Sequence, residues 1–331
     1  MRERSQIYDT FWRFAAERLG MYLRRLRGDA SPWTHDRILS GHRFTNAYRA
    51  SDRVSQFLIR EVQYAEHRSQ APDEVFFRTM LFKLFNRVET WTLLESALGP
   101  ISWQSANLVR ICEVLDQAFA RGTCVYSAAY IMPNPAFGRT RKHGNHLALL
   151  ERMMEDGAPA RLRCLGSLRE VYDTMLSYPG LGPFLAFQYT IDLNYSSLLE
   201  FPEADFVVAG PGALDGLSKC FEDLGGLVPE DVIMEVTQRQ EREFARLGLN
   251  FESLFGRRLQ PIDVQNLFCE ISKYTRISHP ELTGVSGRTR IKQSYEPSFR
   301  PLEQPYFPPR WGLQIPDIKP VPTSGQQAFA F

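Results

Sequence analysis

The 331-residue chain is poor in the features that announce common chemistries. Its five cysteines, Cys112, Cys124, Cys164, Cys220 and Cys269, form no CxxC pair and no regular spacing, which argues against a disulfide framework or a structural zinc site and fits a reducing cytoplasm. No run reaches the roughly 18 apolar residues of a membrane span, and the first residues contain no apolar segment of a secretion signal. There is no GxxxxGK[ST], so Gly210-Pro-Gly212 reads as a turn and the chain by itself is no P-loop kinase. GxSxG, HExxH and the HxE with PCxxC of zinc deaminases are also missing, which removes most support for those hydrolytic and deaminating mechanisms. Segments that alternate like strands are few, and repeats and low-complexity tracts are absent.

What is present is helical periodicity. Phe11, Phe14, Ala15, Leu19, Tyr22 and Leu26 recur at the spacing of one helix face before Gly28 and Pro32 stop the pattern. Further helices are expected at 47–65, 74–84, 89–97, 104–121, 145–155, 167–177, 184–194, 212–220, 229–247 and 261–273, joined by short connections rich in Gly, Pro and Asn. The expected fold is mainly α, one helical domain over 1–280 that divides at most into two close lobes. Beyond it, prolines 297, 301, 305, 308, 309, 316, 320 and 322 forbid a helix and predict an extended tail over 281–331, packed on the body and loose over 324–331.

A net charge of +1 conceals an uneven distribution. Residues 1–60 carry twelve arginines against six acids, and residues 190–260 carry six cations against thirteen acids. One end is therefore suited to meet phosphate. Ordinary solvated helix faces would give the same counts.

Several clusters carry candidate chemistry. In Tyr178-Pro-Gly-Leu-Gly-Pro-Phe, Gly180 and Gly182 permit a tight turn whose amides face outward at a helix start, a place for a DNA phosphate. Asp205 follows in Ala-Asp-Phe-Val-Val-Ala-Gly-Pro-Gly. This order resembles the helix-hairpin-helix DNA glycosylases, without their hairpin lysine and Val-Asp-Thr-His pattern. Pro32-Trp-Thr-His-Asp36 and Arg43-Phe-Thr-Asn-Ala-Tyr-Arg49 with Asp52 and Arg53 join aromatics to guanidinium groups suited to phosphate or carboxylate; pairing of Arg49 with Asp52 is the purely structural alternative. Gly138-Arg-Thr-Arg-Lys-His-Gly-Asn-His146 reads as a basic flexible loop in which Arg139, Arg141, Lys142 and His143 could close over a phosphoryl group. His143 and His146 are three apart, but no carboxylate or cysteine completes a metal set, so no metal and no cofactor is expected. Helical spacing over 265–276 gathers Asn266, Cys269, Glu270 and Lys273 on one face. Such a Glu–Lys pair is costly to bury and marks a candidate site.

Taken together, these words with Leu84-Phe-Asn-Arg-Val-Glu-Thr-Trp91, Phe184-Leu-Ala-Phe-Gln-Tyr-Thr-Ile-Asp-Leu-Asn-Tyr195, the 205–213 segment and Cys269-Glu-Ile-Ser-Lys-Tyr274 make the chain similar to the alpha-glutamyl/putrescinyl thymine pyrophosphorylase family over roughly 11–311. Its relative is the helical domain attached to 5-hydroxymethyluracil DNA kinases. The resemblance implies a helix-hairpin-helix glycosylase-like fold and thymine hypermodification in phage DNA. A kinase activates 5-hydroxymethyluracil as a phosphate or pyrophosphate ester, and an amino acid:DNA transferase replaces that leaving group with the amine of an amino acid, such as glycine, or of a polyamine. Implied partners are double-stranded DNA bearing the activated base, the amine, and functionally the kinase. No membrane partner is implied, and the setting is the cytoplasm of a phage-infected or prophage-carrying cell.

On this reading Asp205 is the first choice of base, with Glu270 and Asp192 in reserve and Lys273 beside them. Arg43, Arg49, Arg53, Arg139, Arg141, Lys142 and His143 would receive the departing phosphates. Trp33, Phe44, Asn46, Tyr189, Asn194 and Tyr195 would hold the extruded base. Lys273 or Arg276 would meet a substrate carboxylate. A true glycosylase and a non-catalytic DNA-binding partner of the kinase are the alternatives.

Overall fold

The computed structural model describes residues 1–297 and 302–318. Within them the chain forms fourteen α-helices and a single antiparallel pair of short strands, β1 (Arg2–Glu3) and β2 (Phe221–Asp223). The fold is all-α.

The periodic segment near the start becomes α1 (Ser5–Arg27). Its apolar face is buried, and Gly28 ends it in the left-handed conformation at φ 79°, with its amide turned back to Arg24 and Arg25. Then follow α2 (Arg37–Gly41), α3 (Arg53–Phe57), α4 (Pro72–Phe85), α5 (Val88–Leu98), α6 (Leu108–Ala120), α7 (Lys142–Glu155), α8 (Ala158–Arg163), α9 (Leu168–Leu176), α10 (Pro183–Asn194), α11 (Pro211–Cys220), α12 (Pro229–Gln238), α13 (Gln240–Arg246) and α14 (Pro261–Ser278). Six of these helices, α4, α8, α10, α11, α12 and α14, carry proline in the first turn, where its missing N–H costs nothing and its fixed φ favours the helix.

Two largely buried helices, α14 and α10, form the axes of the body. Along α14, α1 stacks Phe11 on Phe268 at 4.6 Å, and α11 lies against it so closely that a Cβ at Gly212 would meet Cys269 Sγ at 2.9 Å while one at Gly216 would overlap the Phe268 carbonyl oxygen. The second axis, α10, packs on α9 and α4 and buries ten of its twelve residues.

Three expectations are corrected. The helix foreseen over 47–65 is broken into a 3-10 turn at Arg49–Ser51, α3, and a π-helical turn at Leu58–Gln63. Side chains divert its backbone: Asp52 accepts the Asn46 amide, Asn46 donates to the Ser51 carbonyl, and Asp263 accepts the Arg49 amide. The helix foreseen over 229–247 is interrupted at Arg239. The basic loop ends earlier than foreseen, because Lys142 and His143 already belong to α7.

After α14 the described chain is irregular apart from one 3-10 turn at Pro309–Trp311. Ser286 donates its amide to buried Asp215, Tyr295 to the Gly41 carbonyl and Tyr306 to Gln56, while Trp311 sets its edge on Tyr195. Pro301, Pro320, Pro322 and the stretch 324–331 lie outside the described residues.

Candidate functional site

The two helical axes and the 44–53 segment converge on a buried ionic centre. Asp192, from α10, is fully buried and receives Arg49 through two parallel hydrogen bonds of 2.8 and 2.9 Å; Lys83 Nζ of α4 lies 3.0 Å from its second oxygen. Gln188, one turn earlier, accepts Arg49 Nε at 2.9 Å. Asn86, left-handed at the end of α4, accepts Lys83 at 2.6 Å. Burial alone would raise the Asp192 pKa, but Arg49 and Lys83 together hold it below the ordinary carboxylate range. Burial lowers that of Lys83 against the pull of Asp192. Two cations thus share one carboxylate. Tyr130, at φ 54°, lies over them: its ring stacks on Phe184 at 5.8 Å and 8°, with Lys83 Nζ 5.1 Å from its face.

The segment that sends Arg49 inward also lines a cavity of about 810 Å³. Phe44, Asn46, Asp52 and Arg53 form one wall, Arg18, Tyr22 and Arg25 of α1 another, and Tyr295, Leu302 and Glu303 of the tail a third. Asp52 accepts the Asn46 amide at 3.1 Å, and burial raises its pKa despite the opposing effects of that bond and of Arg18. Arg18 donates to the Phe44 carbonyl at 3.2 Å and forms no ion pair among the described residues, so its guanidinium keeps donors to spare. His42 also lines the space, and its Nδ1 is buried without a hydrogen-bond partner among the described residues. From behind, Glu270 accepts the Thr45 amide at 3.1 Å and pairs with Lys273 at 2.7 Å, while Asn266 donates to Thr45 Oγ1 at 2.8 Å. The polar face of α14 therefore holds the cavity wall in place.

The other residues singled out in the sequence are dispersed. Asp205 is exposed, forms no hydrogen bond or ion pair among the described residues, and lines neither this cavity nor a second of about 420 Å³ between α1 and the tail. Tyr189, Asn194 and Tyr195 are wholly buried: Tyr189 donates to the Lys83 carbonyl, Asn194 holds the backbone of Phe201 from both sides, and Tyr195 lies under the Arg49 guanidinium at 5.5 Å. Trp33 sits under Arg25 at 4.8 Å and is absent from the cavity lining. Arg43 is exposed, and Arg53 makes a loose 3.8 Å pair with Glu89. Arg276 donates to the Arg290 carbonyl and to Ser272. At the α9–α10 turn Gly180 has φ 85° and Gly182 is the exposed residue before α10.

Of the basic 139–143 group, Arg139 and Arg141 are exposed, whereas Lys142 lies over the Tyr126 ring at 4.6 Å and His143 is buried. His143 Nε2 is 2.9 Å from Asp116, which also binds Arg141 at 2.9 Å and lies 3.8 Å from Cys112 Sγ. Neighbouring His146 is neutral and fixed, accepting from Tyr126 Oη at 2.8 Å and donating to the Pro133 carbonyl; burial lowers its pKa to about 4.

Sequence reasoning missed Arg18, His42 and Lys83. Arg18 falls on an amphipathic helix where a polar residue reads as solvated, and His42 stands directly before the quoted Arg43 motif without a partner to mark it. Lys83 carried the clearest signal, one of two cations, with Arg78, within the largely apolar run from Val75 to Phe85.

No solved structure matches the chain. A curated relative, the 5-hmdU DNA kinase of Bacillus phage SP10, is 27% identical over 295 residues, which cover 81% of this chain and 45% of that protein. The chain thus spans about half the length of the curated relative it matches. The family model described as the helical domain of 5-hmdU DNA kinase matches residues 5–284. By that match over most of its length, the chain belongs to the family of the helical domain of 5-hmdU DNA kinases.

Proposed function

We propose that the protein takes part in the modification of 5-hydroxymethyluracil in DNA, as an amino acid or polyamine:DNA transferase that accepts a base already carrying a phosphate or pyrophosphate ester. The observation that carries this reading is the cavity in which a carboxyl of raised pKa, Asp52, shares walls with an arginine that has no ion pair among the described residues, Arg18. A volume of about 810 Å³ suits a pyrimidine nucleotide, since ligand pockets commonly span roughly 300–1,000 Å³. Phe44 and Tyr22 offer apolar surface to a base that has left the stack, at a cost of a few kcal/mol.

In the proposed reaction the neutral amine attacks the exocyclic methylene carbon of the pyrimidine. A C–N bond forms as the C–O bond to the ester breaks, the phosphate leaves with the electron pair, and the proton shed by the amine passes to Asp52. The raised pKa of Asp52 brings it closer to that task than an ordinary carboxylate. Arg18, with Arg53 and Arg60 at the walls, would stabilise the departing charge. The base role first assigned to Asp205 thereby passes to Asp52, and Glu270 and Lys273 become positioning residues for the 44–46 wall. Duplex DNA would supply the substrate, and the phosphorylating step belongs to a kinase activity outside this chain's own motifs.

The test is mass spectrometry of nucleosides after the protein is incubated with kinase-activated hydroxymethyluracil DNA and a mixture of amino acids and polyamines. A nucleoside heavier than 5-hydroxymethyldeoxyuridine by one amine less water supports transfer. Release of free base with an abasic site would replace it with a glycosylase, and salt-sensitive binding without any product with a non-catalytic partner.

A further inference from the structure

Away from the cavity, α6 and α7 bring three different ligand-type side chains together. Cys112 and Asp116 are one turn apart on α6 and so share a face, and His143 projects from the first turn of α7 toward them. His143 Nε2 is 2.9 Å from Asp116 Oδ1, Cys112 Sγ is 3.8 Å from Asp116 Oδ2, and all three ligand atoms lie within 4.8 Å of one another. Around a tetrahedral ion with bonds of about 2.0–2.3 Å, ligand atoms sit roughly 3–4 Å apart, so small side-chain adjustments suffice.

We propose that Cys112, Asp116 and His143 bind a divalent transition ion of the zinc class, with the fourth position open to water. The donor set selects this class, because one sulfur and one imidazole suit zinc or cobalt and are poor ligands for magnesium or calcium. Thiolate and carboxylate together neutralise the ion, and Arg141, 2.9 Å from Asp116, remains as an outer hydrogen-bond donor that orients the carboxylate. The site ties the middle of α6 to the start of α7, the two helices that flank the 121–141 segment, in which Tyr130 lies over Lys83. The ion is therefore a structural clasp at a distance from the reacting base.

Cobalt titration of the whole protein tests this directly. One equivalent of cobalt(II) should give the near-ultraviolet thiolate-to-cobalt charge-transfer band, which Cys112→Ser abolishes and Cys269→Ser leaves unchanged. No such band in the wild-type chain, or a band that survives Cys112→Ser, overturns the proposal. Should Cys112→Ser fold poorly, the wild-type protein still decides the matter by alkylation and peptide mass spectrometry. Zinc should slow modification of half-buried Cys112 at least tenfold and leave exposed Cys124 and Cys164 unaffected. Equal alkylation of Cys112 with and without zinc overturns the site.

Discussion

Arg49 has two acids within reach of its segment, and which one it takes decides what the other can do. Neighbouring Asp52 is the obvious partner in the sequence, but Arg49 turns to Asp192 on a helix far along the chain, and Asp52 is left in the cavity with a raised pKa. Removing a shared carboxylate from two buried cations should cost more than removing one of the cations, because only the first change leaves charge uncompensated. Asp192→Ala is therefore expected to lose about 3–5 kcal/mol in urea unfolding, and Lys83→Met distinctly less. Equal losses would show that the centre is ordinary packing. The words containing Phe44, Asn46, Arg49, Asp192 and Glu270 were legible, and the structure gathers them around one region. Their roles were not legible, since spacing along the chain says nothing of which distant carboxylate closes an ion pair, or that Asp205 faces solvent.

Helices were the most legible elements, because a 3.6-residue apolar period and an initial proline act locally. The exceptions arise where a side chain from elsewhere captures the backbone, as Asp263 does at Arg49. The Asp263 carboxyl is itself raised to about 7 by burial, against the two amides it accepts. Close approach of α11 to α14 was equally hidden, since Gly212 reads only as part of the Gly210-Pro-Gly212 turn and nothing in the sequence singles out Gly216. Gly216→Ala must push α11 away from the Phe268 carbonyl and should cost about 3 kcal/mol, a typical upper value for overpacking, visible as a lowered Tm. At the 121–141 segment, His146 bonds both Tyr126 and Pro133 and stays neutral to about pH 4, whereas in the unfolded chain it takes up a proton near its ordinary value of 6.5. Its contribution is thus complete above about pH 6.5 and disappears as the pH falls through 4. It amounts to about 3 kcal/mol at about 1.4 kcal/mol per unit. His146→Gln should flatten the pH dependence of the urea midpoint between 4 and 6.5, and an unchanged slope would remove His146 from that role.

At the scale of the whole molecule, the arginine-rich first sixty residues supply α1 and the 44–53 wall, so the cationic end of the chain and the cavity coincide. The acid-rich 190–260 region contributes no lining residue to that cavity. Among the described residues no helix is long and apolar enough to cross a membrane. Single-turnover transfer to DNA carrying the pre-phosphorylated base, followed across pH for wild type, Asp52→Asn and Asp205→Asn, tests the cavity and its base most directly. Asp52→Asn should slow transfer by about 10²–10⁴-fold, the usual worth of a general base, and remove an ionisation above the ordinary carboxylate range, while Asp205→Asn stays at the wild-type rate. A wild-type rate for Asp52→Asn, with transfer abolished in Asp205→Asn, would contradict it.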